Sequence, residues 1–158
     1  MRSIAGRVVL TAVASSLIVF MWCAYRGLSP VAAQQHTPVT ATRLYTGADG
    51  LTHVDQVNID FAPVAGEPST VEESEPVKTA SSYVVRAAPG FFSNWHNADK
   101  RRYVITISGR AEIEVAGGQK TFAQPGRILQ AEDLTGKGHT FRVVSTDDWV
   151  ALFVDFAQ

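Results

Sequence analysis

Arg102-Tyr103-Val104-Ile105-Thr106-Ile107-Ser108-Gly109-Arg110-Ala111-Glu112-Ile113-Glu114-Val115-Ala116-Gly117-Gly118 contains two short segments, each ended by glycine. The first is β-branched or aromatic from Tyr103 to Ile107, the side-chain type that fits a pleated, half-buried surface. The second alternates, with Glu112 and Glu114 turned out and Ile113 and Val115 turned in, which marks a strand with one wet face. Gly109-Arg110 and Gly117-Gly118 supply turns. A β-hairpin is the reading.

Outward from it the same grammar continues. Downstream, strands are predicted at Gln119 to Phe122, Arg127 to Ala131, His139 to Val144 and Trp149 to Phe156, with turns at Pro125-Gly126 and Ser145 to Asp148. In the last strand Val150, Leu152, Val154 and Phe156 share one face and Trp149, Ala151 and Phe153 the other, so both faces are covered or nearly so. Upstream, strands are predicted at Thr42 to Tyr45, Thr52 to Phe61, Ser82 to Ala87 and Phe91 to His96, with turns at Asp49-Gly50 and Ala88-Pro89-Gly90. Pro63 to Lys78, with Glu67, Glu72, Glu73 and Glu75, reads as a solvated loop and a candidate lid. No amphipathic helix of any length interrupts the series. Many short antiparallel strands of mixed burial suit a sandwich or a closed barrel.

With 158 residues, 46% apolar and 18% charged, the chain has the size and oily fraction of one domain with a proper core. Its start is different in kind. Arg2 and Arg7 precede an uncharged run from Val8 to Tyr25 and a small-residue segment, Val31-Ala32-Ala33, the layout of a secretory signal. Residues 1–33 are therefore read as a signal peptide cut after Ala33, or as an uncleaved membrane anchor, since the run approaches the length of a spanning helix. Residues 34–41 are a flexible lead-in and 42–158 the domain. The expected location is exported, periplasmic or extracellular, with membrane attachment only through residues 1–33 if they stay.

Cutting there removes three of the 14 basic residues and none of the 15 acidic ones, leaving a net charge of −4. Nucleic acid is a poor partner for that balance. Cys23, the one cysteine, leaves too, so the domain has no disulfide and no thiol. His36, His53, His96 and His139 remain, and any imidazole chemistry must use them.

The segments Trp95-His96-Asn97-Ala98, Arg101 to Gly109, Pro125-Gly126 and Glu132-Asp133-Leu134-Thr135-Gly136-Lys137-Gly138-His139 together resemble a small single-domain cupin. The likeness covers about 60 residues strongly and, through Arg43-Leu44-Tyr45 and Asp49-Gly50, most of the remainder weakly. It implies an all-β, cupin-type jelly-roll barrel (a double-stranded β-helix), a homodimer, and an interior site lined by both motifs. The first motif is degenerate. Counted back from Gly109, Arg102 stands where the family carries a glutamate and Ala98 where it carries a second histidine, leaving His96. In the second motif Gly126 is present, Glu132 replaces a proline and His139 comes two residues late.

What the resemblance implies for chemistry is a divalent iron, manganese or zinc ion held by His96, His139 and Asp133, or Glu132 in its place, with an open position for water or substrate. Plainer readings stand beside it: a satisfied histidine at a strand end, and an aspartate closing the Thr135-Gly136 turn. In the cupin register Arg102, Val104 and Thr106 point inward, and a guanidinium there favours an anionic or oxygen-rich ligand bound by Arg102, Tyr103, Thr106 and Glu132. Gly136-Lys137-Gly138 lacks the flanking residues of a phosphate loop. Three functions stay open: a metal-dependent oxygenase, isomerase or lyase, a metal-free module binding an anion or sugar, and a structural dimer without catalysis.

Overall fold

The computed structural model describes residues 36–68 and 70–157; the signal or anchor at 1–33 lies outside them. The chain forms β1 (Val39–Thr46), β2 (Thr52–Ile59), β3 (Ala62–Pro63), β4 (Glu72–Glu73), β5 (Thr79–Ala87) and β6 (Phe92–His96). There follow β7 (Arg102–Ser108), β8 (Ala111–Val115), β9 (Lys120–Ala123), β10 (Ile128–Glu132), β11 (His139–Val143) and β12 (Trp149–Phe156). A single 3-10 turn, Ala116–Gly118, is the one helical element among the described residues.

The strands pair into a six-stranded sheet, ordered β2-β1-β10-β7-β12-β5, and a four-stranded sheet, ordered β6-β11-β8-β9. One apolar core joins them. Leu44, Val104, Leu129, Trp149 and Ala151 come from the larger sheet, and Ala111, Ile113, Val115, Ala123 and Val143 from the smaller. Alternation sets which side chains enter: Arg102, Val104 and Thr106 are all buried, and the cross-strand partners of Arg102 and Val104 on β10, Ala131 and Leu129, are buried with them.

The opposite face of the larger sheet is also apolar. By register it carries Tyr103 and Ile105 on β7, Ile128 on β10 and Val150, Leu152, Val154 and Phe156 on β12. Most of these are half-buried, whereas Ile107 is 57% and Val84 of β5 62% exposed.

Several element boundaries shift from those predicted: β2 ends at Ile59 short of Phe61, and β5 starts at Thr79 ahead of Ser82. β1 starts at Val39 inside the expected lead-in, because Val39, Thr40 and Ala41 pair with Ile59, Asn58 and Val57 of β2 and Ala41 is buried. The loop expected from Pro63 to Lys78 holds a two-residue hairpin, Ala62 and Pro63 against Glu73 and Glu72, and is exposed over most of its length. Gly109 closes the β7–β8 turn at φ 73°; a Cβ there would lie 2.6 Å from the Asp148 carbonyl oxygen, so only glycine lets the two chains approach.

Candidate functional site

A cavity of about 400 Å³ opens between the sheets. Leu44, Val85, Val104, Ile113 and Leu129 form much of its wall. Aromatic rings add to it: Phe141 and Trp149 meet edge to face at 4.8 Å, with Phe153 6.2 Å from Trp149 and Phe91 6.4 Å from Phe141. The face of β12 that carries Trp149, Ala151 and Phe153 supplies two of these rings. Trp149 donates its Nε1 proton to Thr106 Oγ1 at 3.3 Å, which satisfies the one polar atom of the indole.

His96 and His139 both line this cavity. They are directly opposed across the antiparallel pair β6–β11, and their ring centroids are 4.5 Å apart. Gly138 makes the approach possible: it sits at φ 74°, and a Cβ on it would fall 2.1 Å from the His96 carbonyl oxygen. The alignment of the two motifs therefore brings the imidazoles together as expected.

Each ring is fixed through Nδ1. His96 Nδ1 is 2.7 Å from the Asn94 carbonyl oxygen and 3.2 Å from Ser93 Oγ. A carbonyl has no proton to give, so the Nδ1 proton is donated and Nε2 carries the lone pair. His139 Nδ1 lies 2.6 Å from Asp133 Oδ2, which assigns the same tautomer. Thr52 Oγ1 donates to the same carboxylate oxygen at 3.2 Å. Asp133 is 0% and His139 7% exposed, and Asp133 Oδ1 has no hydrogen-bond partner.

These contacts bear on a divalent ion. Such an ion needs three or four donors converging on one point, and of the ring nitrogens only the two Nε2 atoms are free. Asp133 lies behind His139, bonded to the nitrogen a ligating ring would turn away, so it orients that ring and does not complete a donor set with it. Among the described residues no group of three or more His, Cys, Asp or Glu side chains is placed to hold a metal ion. The residues present do not fit the His96, Asp133 and His139 centre expected from the resemblance. Nor does Asp133 cap the Thr135-Gly136 turn: its Oδ2 meets Thr52 Oγ1 and His139 Nδ1, and its Oδ1 accepts from no backbone N–H.

Of the four residues expected to bind an anion, the cavity wall includes Arg102 alone. Tyr103 is on the outer face, edge-on to Phe156 at 4.8 Å. Thr106 is spent on Trp149. Glu132 also faces outward and accepts from Arg101 and from Gln130 Nε2. The charge on Arg102 is already matched: Nη2 donates to Asp99 Oδ1 at 2.5 Å, and Nε is 2.9 Å from Asp155 Oδ1, an ion pair whose N–H is not aligned for a hydrogen bond. Arg86, the other cation on the wall, lies 3.7 Å from Asp148.

Burial acts to raise the Asp155 carboxyl, but the Ser81 hydroxyl at 2.8 Å and the Arg102 and Lys100 cations outweigh it and hold the group below the usual carboxylate range. Thr52, Asp99 and Asp155 had no signal in the sequence beyond their residue type.

No protein-family model matches the chain, and no curated protein matches it. Among solved structures it is similar to a Cupin 2 conserved barrel domain protein from Salinispora arenicola, at 20% identity over 48% of this chain and 61% of that one, TM-score 0.39. A putative ethanolamine utilization protein Q from Salmonella typhimurium matches at 13% identity over 77% of this chain and 98% of that one, TM-score 0.39. The cupin domain of Cnp3 from Schizosaccharomyces pombe matches at 8% identity over 78% and 86%, TM-score 0.42. On its own strand order and sheet pairing the described domain is all-β, a six- and a four-stranded sheet packed over one core.

Proposed function

We propose that this barrel binds a small, neutral, largely apolar molecule, held at one end by the paired imidazoles of His96 and His139. One observation carries the reading: two imidazoles 4.5 Å apart, each bonded through Nδ1 and with no protein partner on Nε2, line a cavity whose cations already have carboxylates. Two acceptors of that kind suit a ligand that offers N–H or O–H donors from an apolar or aromatic body. An anion would have to compete with Asp99 and Asp155 for Arg102, at the cost of stripping a paired guanidinium. With residues 1–33 read as a signal or anchor, binding takes place outside the cytoplasm.

Calorimetric titration of the full chain with indole, phenol and citrate, repeated with manganese(II), tests this. The expected result is binding of indole or phenol that weakens up to about 10-fold in His139→Gln, the loss of one hydrogen bond in a buried site. Tight binding of citrate, or of one manganese ion per chain, would overturn the proposal.

A further inference from the structure

We propose that Asp133 and His139 form a general-base dyad that takes a proton from the bound ligand, so that the cavity is a metal-free site for proton transfer. This rests on the binding reading above and adds a reaction to it. The carboxylate of Asp133 is placed where a permanent anion is poorly served: fully buried, two hydrogen bonds on Oδ2 and none on Oδ1. A positive charge arriving beside it relieves that position. The charge at hand is the imidazolium formed when His139 Nε2 accepts a proton, 2.6 Å away through Nδ1. Asp133 is thus a positioning residue, fixing tautomer and ring and stabilising the protonated form, and His139 is the group that touches the ligand.

His96 has a different part. Its Nδ1 faces a carbonyl and a hydroxyl, with no carboxylate to balance a cation, and it stands 4.5 Å from His139. Asp133 stands behind His139 alone, which makes His139 the ring that takes the ligand's proton. His96 stays neutral and accepts a hydrogen bond from the ligand. The chemical class is a neutral carbon acid with an apolar or aromatic body, its C–H next to a carbonyl or comparable electron sink. The step balances within the site: the C–H bond breaks, Nε2–H forms, the electron pair passes into the sink, and the same imidazolium returns the proton to a neighbouring atom of the ligand. The net result is an isomerisation.

His53 supplies an internal contrast. It also pairs with a carboxylate, Nε2 lying 3.0 Å from both oxygens of Asp49, but on the exposed surface and away from the cavity wall.

The test uses 5-nitrobenzisoxazole, a neutral bicyclic aromatic whose single ring C–H, once taken by a base, drives N–O cleavage to a coloured cyanophenolate, with 5-nitroindole as an unreactive binding partner of similar size. The full chain should accelerate the opening with saturation. His139→Gln should lower kcat about 100-fold while binding 5-nitroindole within about 10-fold of the parent, as loss of one hydrogen bond requires. Asp133→Asn should lower kcat about 10-fold or more with KM little changed, and Asp133→Glu should recover part of it. His53→Gln should match the parent. Circular dichroism identifies any variant that fails to fold, and His139→Asn then replaces it. If 5-nitroindole binds but the parent does not accelerate the opening, or if His139→Gln or Asp133→Asn keeps parental kcat, the dyad is overturned and binding stands. If 5-nitroindole does not bind at all, both proposals fall.

Discussion

Arg102 and Asp155 show how a single side chain changes meaning once its surroundings are known. Read from the strand alternation, an inward arginine called for an anionic ligand; folded, it is one half of a buried ion pair with Asp155, closed off by Asp99 on its other side. Removing Asp155 takes away the buried counter-charge of Arg102 and leaves only the exposed Asp99 carboxylate, so Asp155→Asn should destabilise the fold by about 3 kcal/mol, measured by urea unfolding near neutral pH. Its pH dependence has a definite sign. The Asp155 carboxyl is held below its ordinary range in the folded state, so its contribution is present above the usual carboxylate value and is lost as pH falls through the folded one. The acid limb of stability below about pH 4 should therefore be shallower in Asp155→Asn than in the parent. An unchanged acid limb would show that Asp155 is not held in its charged form.

Strands β6 and β11 act as one device, since their pairing alone puts His96 opposite His139. Gly138 is the joint. At φ 74° and with the His96 carbonyl 2.1 Å from any added Cβ, Gly138→Ala must push the two strands apart, and a loss of about 2 kcal/mol or more is expected. Gly126 gives the comparison. It has a similar φ of 79° but nothing within 4 Å, so Gly126→Ala should cost only the backbone term, about 1 kcal/mol. Thermal unfolding of the two variants decides whether close approach or left-handed geometry is the larger effect. On β12, Trp149→Ala should cost about 3–5 kcal/mol, because the ring is 2% exposed and packs against Phe141 and Phe153 at once. Most strand bounds were legible, β7, β8 and β12 to the residue, because alternation and glycine turns are local signals. The start of β1 was not. Val39 and Thr40 are strand because β2 lies beside them, and Ala41 because it joins both β2 and Ile128 of β10.

For the barrel as a unit, a ligand that binds the folded state alone raises the unfolding midpoint, by the equivalent of about 2.7 kcal/mol at 100 times its dissociation constant. Phenol or indole should therefore raise the midpoint of the full chain, and a chelator such as EDTA should leave it unchanged; a fall on chelation would point to a bound ion holding the fold. The amino-acid order determined the all-β architecture, the inward set Arg102, Val104 and Thr106, and the meeting of His96 with His139 once the two motifs were aligned, since each follows from a period of two or from a motif. It left open what those groups do. Thr52 reaches Asp133 across 81 positions and Ser81 reaches Asp155 across 74, and no pattern along the chain encodes such partners. Which oxygen of Asp133 meets which nitrogen of His139, and whether Arg102 has charge to spare, are properties of strand order and side-chain direction. Only the folded barrel settles them, because charge balance and hydrogen bonding depend on neighbours in space.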